Sequence, residues 1–154
     1  QTTRGFSVFY PTKNDFGDEI NDLLIVKFPG LEIKYISFDE TINQAKQSKH
    51  EDFLYTLHPP NLLPHELILK SNCPIMLLRN LNPTEDLCNG TRLICLLLTK
   101  HVIHAKIVVG NFIGKEVFIP RICLHYCDDQ MYPIPFKRFQ FSVRLCFAMT
   151  INKA

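Results

Sequence analysis

With 154 residues, 46% of them hydrophobic and 21% charged, the chain has room for one ordinary domain or two small ones, and its composition excludes a disordered or fibrous protein. The net charge of +2 hides an asymmetry: residues 1–70 carry seven basic and ten acidic side chains, residues 71–154 ten basic and five acidic. From Gln130 onward there are Lys137, Arg138, Arg144 and Lys153 and no acid at all, a local excess that suits a polyanionic partner.

In chain order, the short apolar run Val8-Phe9-Tyr10 closed by Pro11 predicts a strand. Asn14-Asp15 then supplies an N-cap for a helix carrying Ile20, Leu23, Leu24 and Lys27 at helical spacing, ended by Pro29-Gly30. Ile33–Phe38 alternates as a second strand. Residues 39–61 are mostly polar, with a short helix expected at Glu51–Leu57 before Pro59-Pro60, and they mark a boundary. After Pro64 the texture turns to short β-like runs at Leu67–Lys70, Ile75–Arg79, Thr91–Leu98, Val102–Val109, Val117–Ile119 and Ile122–Tyr126. Turn residues separate them, among them Asn89-Gly90, Gly110, Gly114 and Pro120, and closely spaced strands of this kind predict a small antiparallel barrel. Tyr132–Pro135 is a Pro-rich exit, and Phe139–Phe147 is apolar and β-rich.

No apolar run approaches the roughly 18 residues of a membrane-spanning helix, so a soluble chain is expected. It starts without Met and without a signal core, which reads as a fragment. The cysteines at 73, 88, 95, 123, 127 and 146 follow no C-x-x-C spacing and are read as reduced core residues of an intracellular protein. Asn89-Gly90-Thr91 matches a glycosylation sequon, yet Asn-Gly between apolar runs is first a tight hairpin turn.

Nucleotide chemistry is missing from the sequence. Gly114-Lys115 is followed by Glu116 rather than Ser or Thr, so no phosphate-cradling loop is present, and Asp128-Asp129 sit in a turn-like context rather than at the end of an apolar strand. Cys123, His125 and Cys127 alternate, and with His101 or His104 they offer four zinc-type donors. The spacing fits no common zinc module, and an alternating row on a strand is more often an inward-facing core row.

Two blocks carry a resemblance. HELILKSNCPIMLLRNLNPTEDLCNGTRLIC (His65–Cys95) and PFKRFQFSVRLCFAMTINKA (Pro135–Ala154) resemble blocks of PIF-type (petite integration frequency) and Helitron helicases, the first being close to a signature of their inserted 2B barrel. PTKND (Pro11–Asp15) with Lys27-Phe28-Pro29-Gly30 resembles the region that opens the second RecA-like lobe. The resemblance implies an α+β fold: a partial RecA-like half-lobe (2A) from 1–60 and 137–154, with an SH3-like barrel inserted at 64–136. Thr150, Asn152, Lys153 and Ala154 match the start of the fifth helicase motif, whose Gln-Gly does not follow. Ser142 stands where many relatives have Pro, and 101–126 matches only around Gly114–Arg121.

What the resemblance implies is a piece of an ATP-dependent 5′-to-3′ DNA helicase that grips single-stranded DNA, in a parent that unwinds DNA in repair, recombination or transposition. Thr150, Asn152 and Lys153 are the expected DNA contacts, with Arg144, Arg138 and Lys137 as electrostatic support and Asn89, Gly90 and Arg92 as a possible DNA-binding hairpin. The parent would use ATP and Mg; this chain is expected to hold neither, no metal, and to be inactive alone. Its expected partners are single-stranded DNA and the rest of the motor, with no membrane, as a monomer in the nucleus. The rival readings are a non-catalytic barrel that binds protein and a decayed transposon relic.

Overall fold

The computed structural model describes residues 14–41, 63–126 and 136–147. The expected strand at Val8–Tyr10 and helix at Glu51–Leu57 lie outside them. Helix α1 (Asn14–Lys27) starts where Asn14-Asp15 predicts. Its buried stripe differs from the expected one, because Ile20, Asn21 and Ile25 are buried while Leu23 is 67% exposed. Asn21 is the reason. Its amide donates to the Leu145 carbonyl at 3.0 Å and accepts from the Phe147 N–H at 2.9 Å, standing in for a strand on the chain it packs against. At the other end, the Lys70 ammonium donates to the Phe28 carbonyl at 2.7 Å and reaches Val26 O at 3.4 Å, placing a cation on the carbonyl end of the helix.

The expected strand over 33–38 is two strands. β1 (Ile33–Ile36) pairs antiparallel with β3 (Glu66–Leu69), while β2 (Phe38–Thr41) leaves for a different sheet. That sheet also holds β4 (Pro74–Leu77), β5 (Arg92–Leu98), β6 (Val102–Ile107), β7 (Glu116–Tyr126), β8 (Phe136–Phe141) and β9 (Val143–Leu145), in the order β2-β8-β7-β6-β5-β4-β9. Every pairing in it is antiparallel. β8 and β9 are one run of chain with only Ser142 between them, so a strand that pairs with β7 through its first half pairs with β4 through its second. The sheet thereby closes into a barrel, β4 to β7 and back through β8 and β9. Its interior is filled by alternate residues such as Ile75, Leu93, Ile103, Ile107, Ile119 and Phe141, all fully buried.

Expected breaks and boundaries fall elsewhere than the sequence suggests. Pro120 does not end a strand: β7 runs through it, and it sits where β7 changes partner, from β6 (Val102↔Pro120) to β8 (Arg121↔Phe141). The sheet also crosses the expected limits near 60–64 and 136–137. β2 and β8, both from flanks expected in the lobe, pair with each other, but β8 also pairs with β7 of the expected barrel, and the barrel is closed by Val143–Leu145, a segment expected in the lobe.

The closing strand serves two cores. Phe141, Val143 and Leu145 point into the barrel, whereas Phe136, Arg138 and Gln140 are buried on the side of residues 35–41 and 63–65. There Arg138 grips Asp39 with two hydrogen bonds, Nε–Oδ1 at 2.8 Å and Nη2–Oδ2 at 2.7 Å, and donates to the Leu63 carbonyl at 2.7 Å. Gln140 donates to Tyr35 O at 3.1 Å, and Tyr126 stacks on Phe136 with centroids 5.1 Å apart.

Candidate nucleic-acid interface

The cations named from sequence fall into three environments. Thr150, Asn152 and Lys153 lie outside the described residues. Arg138, expected to support DNA binding, is fully buried and held by Asp39, so it has no surface from which to reach a phosphate. This corrects the expectation, and strand alternation is the cause: Lys137 and Arg138 are neighbours and point to opposite faces. Lys137 faces outward between Glu40 and His125, half-buried, with Glu40 3.9 Å away.

Arg144 and Arg92 meet in one row. The pairings Met76↔Arg144 and Met76↔Arg92 set both arginines on the barrel's outer face, flanking Met76. Two strand spacings separate their backbones by roughly 10 Å. Val108, whose N–H donates to the Arg92 carbonyl at 3.0 Å, extends the row. Arg144 is partly buried, which lowers its pKa, and it forms an ion pair with Asp18 of α1. Cys146 registers both cations: burial pushes its thiol up, and Arg92 and Arg144 pull it back down. Lys137 and Arg144, seven residues apart on a nearly continuous strand, are separated by up to roughly 23 Å.

Asn89 and Gly90 form a turn closed by the Thr91 N–H on the Cys88 carbonyl at 3.0 Å. It is not the two-residue hairpin expected from sequence. Gly90 has φ +96 but Asn89 is not among the residues of positive φ, and β4 and β5 are joined by all of 78–91, including the 3-10 turn Pro83–Glu85. The turn nevertheless leads straight into the arginine row, since the Gly90 N–H binds Leu77 O at 2.8 Å and Arg92 follows two residues later.

Cys123 and His125 are exposed, contrary to the inward row expected, because this half of β7 buries Tyr126 and turns its odd positions outward. Cys127 lies outside the described residues, and among those described no three His, Cys, Asp or Glu gather to hold a metal ion. His104 is engaged elsewhere, its Nε2 2.8 Å from Glu116. No helix among the described residues is long and apolar enough to cross a membrane.

The fold is mixed α/β with mostly antiparallel sheet, and a cationic row lies on its closed barrel. Residues 52–98 match the family described as DNA helicase Pif1, 2B domain. The crystal structure of Pif1 helicase from Candida albicans is similar at 18% identity and TM-score 0.70, over 94% of this chain and 35% of that one. Pif1 from Bacteroides in complex with ADP-AlF3 and ssDNA is similar at 18% identity and TM-score 0.62, over 94% of this chain and 30% of that one. Bacteroides Pif1 bound to ssDNA gives 19% identity and TM-score 0.61, over 92% and 30%. The chain therefore spans about a third of the length of these solved helicases, and no curated protein sequence matches it. It has the fold of a Pif1 helicase fragment and carries the 2B-domain sequence match inside it.

Proposed function

We propose that the chain is the DNA-holding part of a 5′-to-3′ helicase, binding single-stranded DNA without sequence preference through cations while ATP is hydrolysed elsewhere in the parent. The observation that carries this reading is the likeness, over 94% of the chain, to a Pif1 helicase described in complex with ssDNA. The paired arginines Arg92 and Arg144 support it, as guanidinium groups bind phosphate oxygens in a fork. Lys137 adds a third outward cation, and Thr150, Asn152 and Lys153 remain the proposed contacts at the end of the chain. Asn89 and Gly90 act by shaping the approach to Arg92. Alone, the chain binds and turns over no ATP or Mg in this reading, because its sequence offers no P-loop lysine or nest for the phosphates. The parent would unwind DNA in repair, recombination or transposition in the nucleus, and this chain would act as a monomer within it.

The test is fluorescence anisotropy of a labelled oligothymidine at several salt concentrations. Affinity in the nonspecific range, roughly 10⁻⁴ to 10⁻⁶ M at physiological salt, is expected. Replacing Arg92, Arg144 and Lys137 together by Ala flattens the plot of log K against log salt by up to about 2, at about 0.7 per phosphate contact on a single strand. An unchanged slope in that variant refutes the path. Salt-insensitive binding of a protein partner, with no DNA binding, returns the chain to the class of interaction barrels.

A further inference from the structure

Beyond Arg92, the outer face of β5, β6 and β7 takes no part in the arginine row. The pairings Leu97↔His104 and His104↔Phe118 lay three side chains in one row across it. His104 and Phe118 stack with centroids 4.7 Å apart and ring planes 16° from parallel. The imidazole is fixed from the side by Glu116, 2.8 Å from its Nε2. Phe118 is 66% exposed and Leu97 56%, large apolar surfaces to leave in water on a strand whose other face is packed. Val102 and Pro120 form the next row, with Lys100 exposed in the turn between β5 and β6 that leads into Val102, and Lys106, exposed, stands opposite Glu116 on the near side. Residues 92–126 carry five Lys or Arg, of which Lys115 is paired with Glu85 and Arg121 donates to the Ile36 carbonyl, and a single acid, Glu116, which His104 engages.

An exposed aromatic ring stacked on a second ring, with exposed lysines in the rows to either side, matches one kind of occupant better than an apolar protein face: an unstacked base on a polyanionic strand. A purely apolar partner would leave Lys100 and Lys106 without a role, whereas a nucleic-acid backbone pairs with them. We propose that this face is a base-stacking platform for single-stranded DNA, with Phe118 as the stacking ring, His104 as its backing and Lys100 and Lys106 as phosphate contacts. The proposal rests on the DNA-holding reading above and extends the strand's path from the arginine row onto the barrel wall.

The chain contains no Trp, so Phe118→Trp installs a lone reporter at the site. Titrated with oligothymidine, this variant keeps its affinity and its fluorescence is quenched; an abasic oligonucleotide of equal length and charge leaves it unquenched. Phe118→Ala weakens oligothymidine binding by between about 5- and 150-fold, the range for stacking one base, and leaves binding of the abasic strand unchanged. Lys106→Ala lowers the salt slope by about 0.7. Circular dichroism and a melting curve check that Phe118→Ala is folded; if it is not, the Trp variant decides. Wild-type chain that binds no DNA overturns both readings. Wild-type chain that binds, with Phe118→Ala unaltered or the Trp unquenched, overturns the platform alone.

Discussion

Truncating Asp39 or Arg138 singly should be among the most damaging changes to the fold, and changing both together far less so. The pair is bidentate at 2.7 and 2.8 Å, and its side chains are 1% and 0% exposed. Asp39→Ala takes the carboxylate from a buried guanidinium, and Arg138→Met leaves a buried carboxylate with only the Ser37 hydroxyl at 2.7 Å and the His65 ring at 3.7 Å. Each is expected to cost about 3–5 kcal/mol. For a chain of this size that is a fall in Tm of roughly 6–20 °C, at about 2–4 °C per kcal/mol. The double variant Asp39→Leu with Arg138→Met removes both charges and recovers most of the loss. Recovery is incomplete because the Leu63 carbonyl loses the donor that Arg138 supplies at 2.7 Å. Urea unfolding followed by circular dichroism gives the three free energies. Single variants costing less than about 1 kcal/mol, or a double variant costing the sum of the two, would refute the argument that desolvation of an unpaired charge dominates here.

Asn21→Ala strips the Leu145 carbonyl and the Phe147 N–H of their helix partner and should cost about 1–3 kcal/mol by denaturant titration, whereas an exposed Leu23→Ala on the same helix should cost little. Burial pushes the Tyr35 hydroxyl up to about 12, so the folded state holds this proton more tightly than the unfolded chain. Its stabilisation is complete below pH 10 and is lost as pH rises toward 12; Tyr35→Phe should flatten that part of the stability-against-pH curve. Gly110→Ala should be worse than Gly90→Ala although both residues have positive φ, because only at Gly110 would the new Cβ run into the Asp86 carboxylate. Adding Asp86→Ala should recover part of the difference in melting temperature. Thr150→Ala should lower affinity for oligothymidine with little change in salt slope, since a neutral donor and not a charge is removed.

The barrel strands were legible because each buries one face, and alternation in Ile75–Leu77, Leu93–Cys95 and Ile103–Ile107 marks that face without ambiguity. Phe136–Leu145 defeated the same logic. A strand that buries even positions against one core and odd positions against another has no single alternation to read, and Arg138 and Gln140 look like solvent residues until Asp39 and the carbonyls around Tyr35 are placed opposite them. Leu23 misled for a related reason, since the packed face of α1 is chosen by an amide that meets strand backbone. Of the candidate interface, the cations were visible from their excess over acid. That Arg92 and Arg144 share a row was not, because their common neighbour Met76 is fixed only by pairing between segments far apart in sequence.

The double service of the Phe136–Leu145 run also dictates when the molecule can finish folding. β2 must wait for a partner about a hundred residues downstream, as in Phe38↔Phe139, and β4 for one about seventy downstream, as in Ile75↔Leu145. Contacts of such long range are slow to form, because the entropy of closing the loop is lost before the contact rewards it. During synthesis, β4 and β7 therefore emerge with open hydrogen-bonding edges and an unsealed apolar interior until the final strand arrives. A chain cut short before Phe136 would keep those edges permanently, and its expected fate is edge-to-edge association rather than a smaller stable barrel.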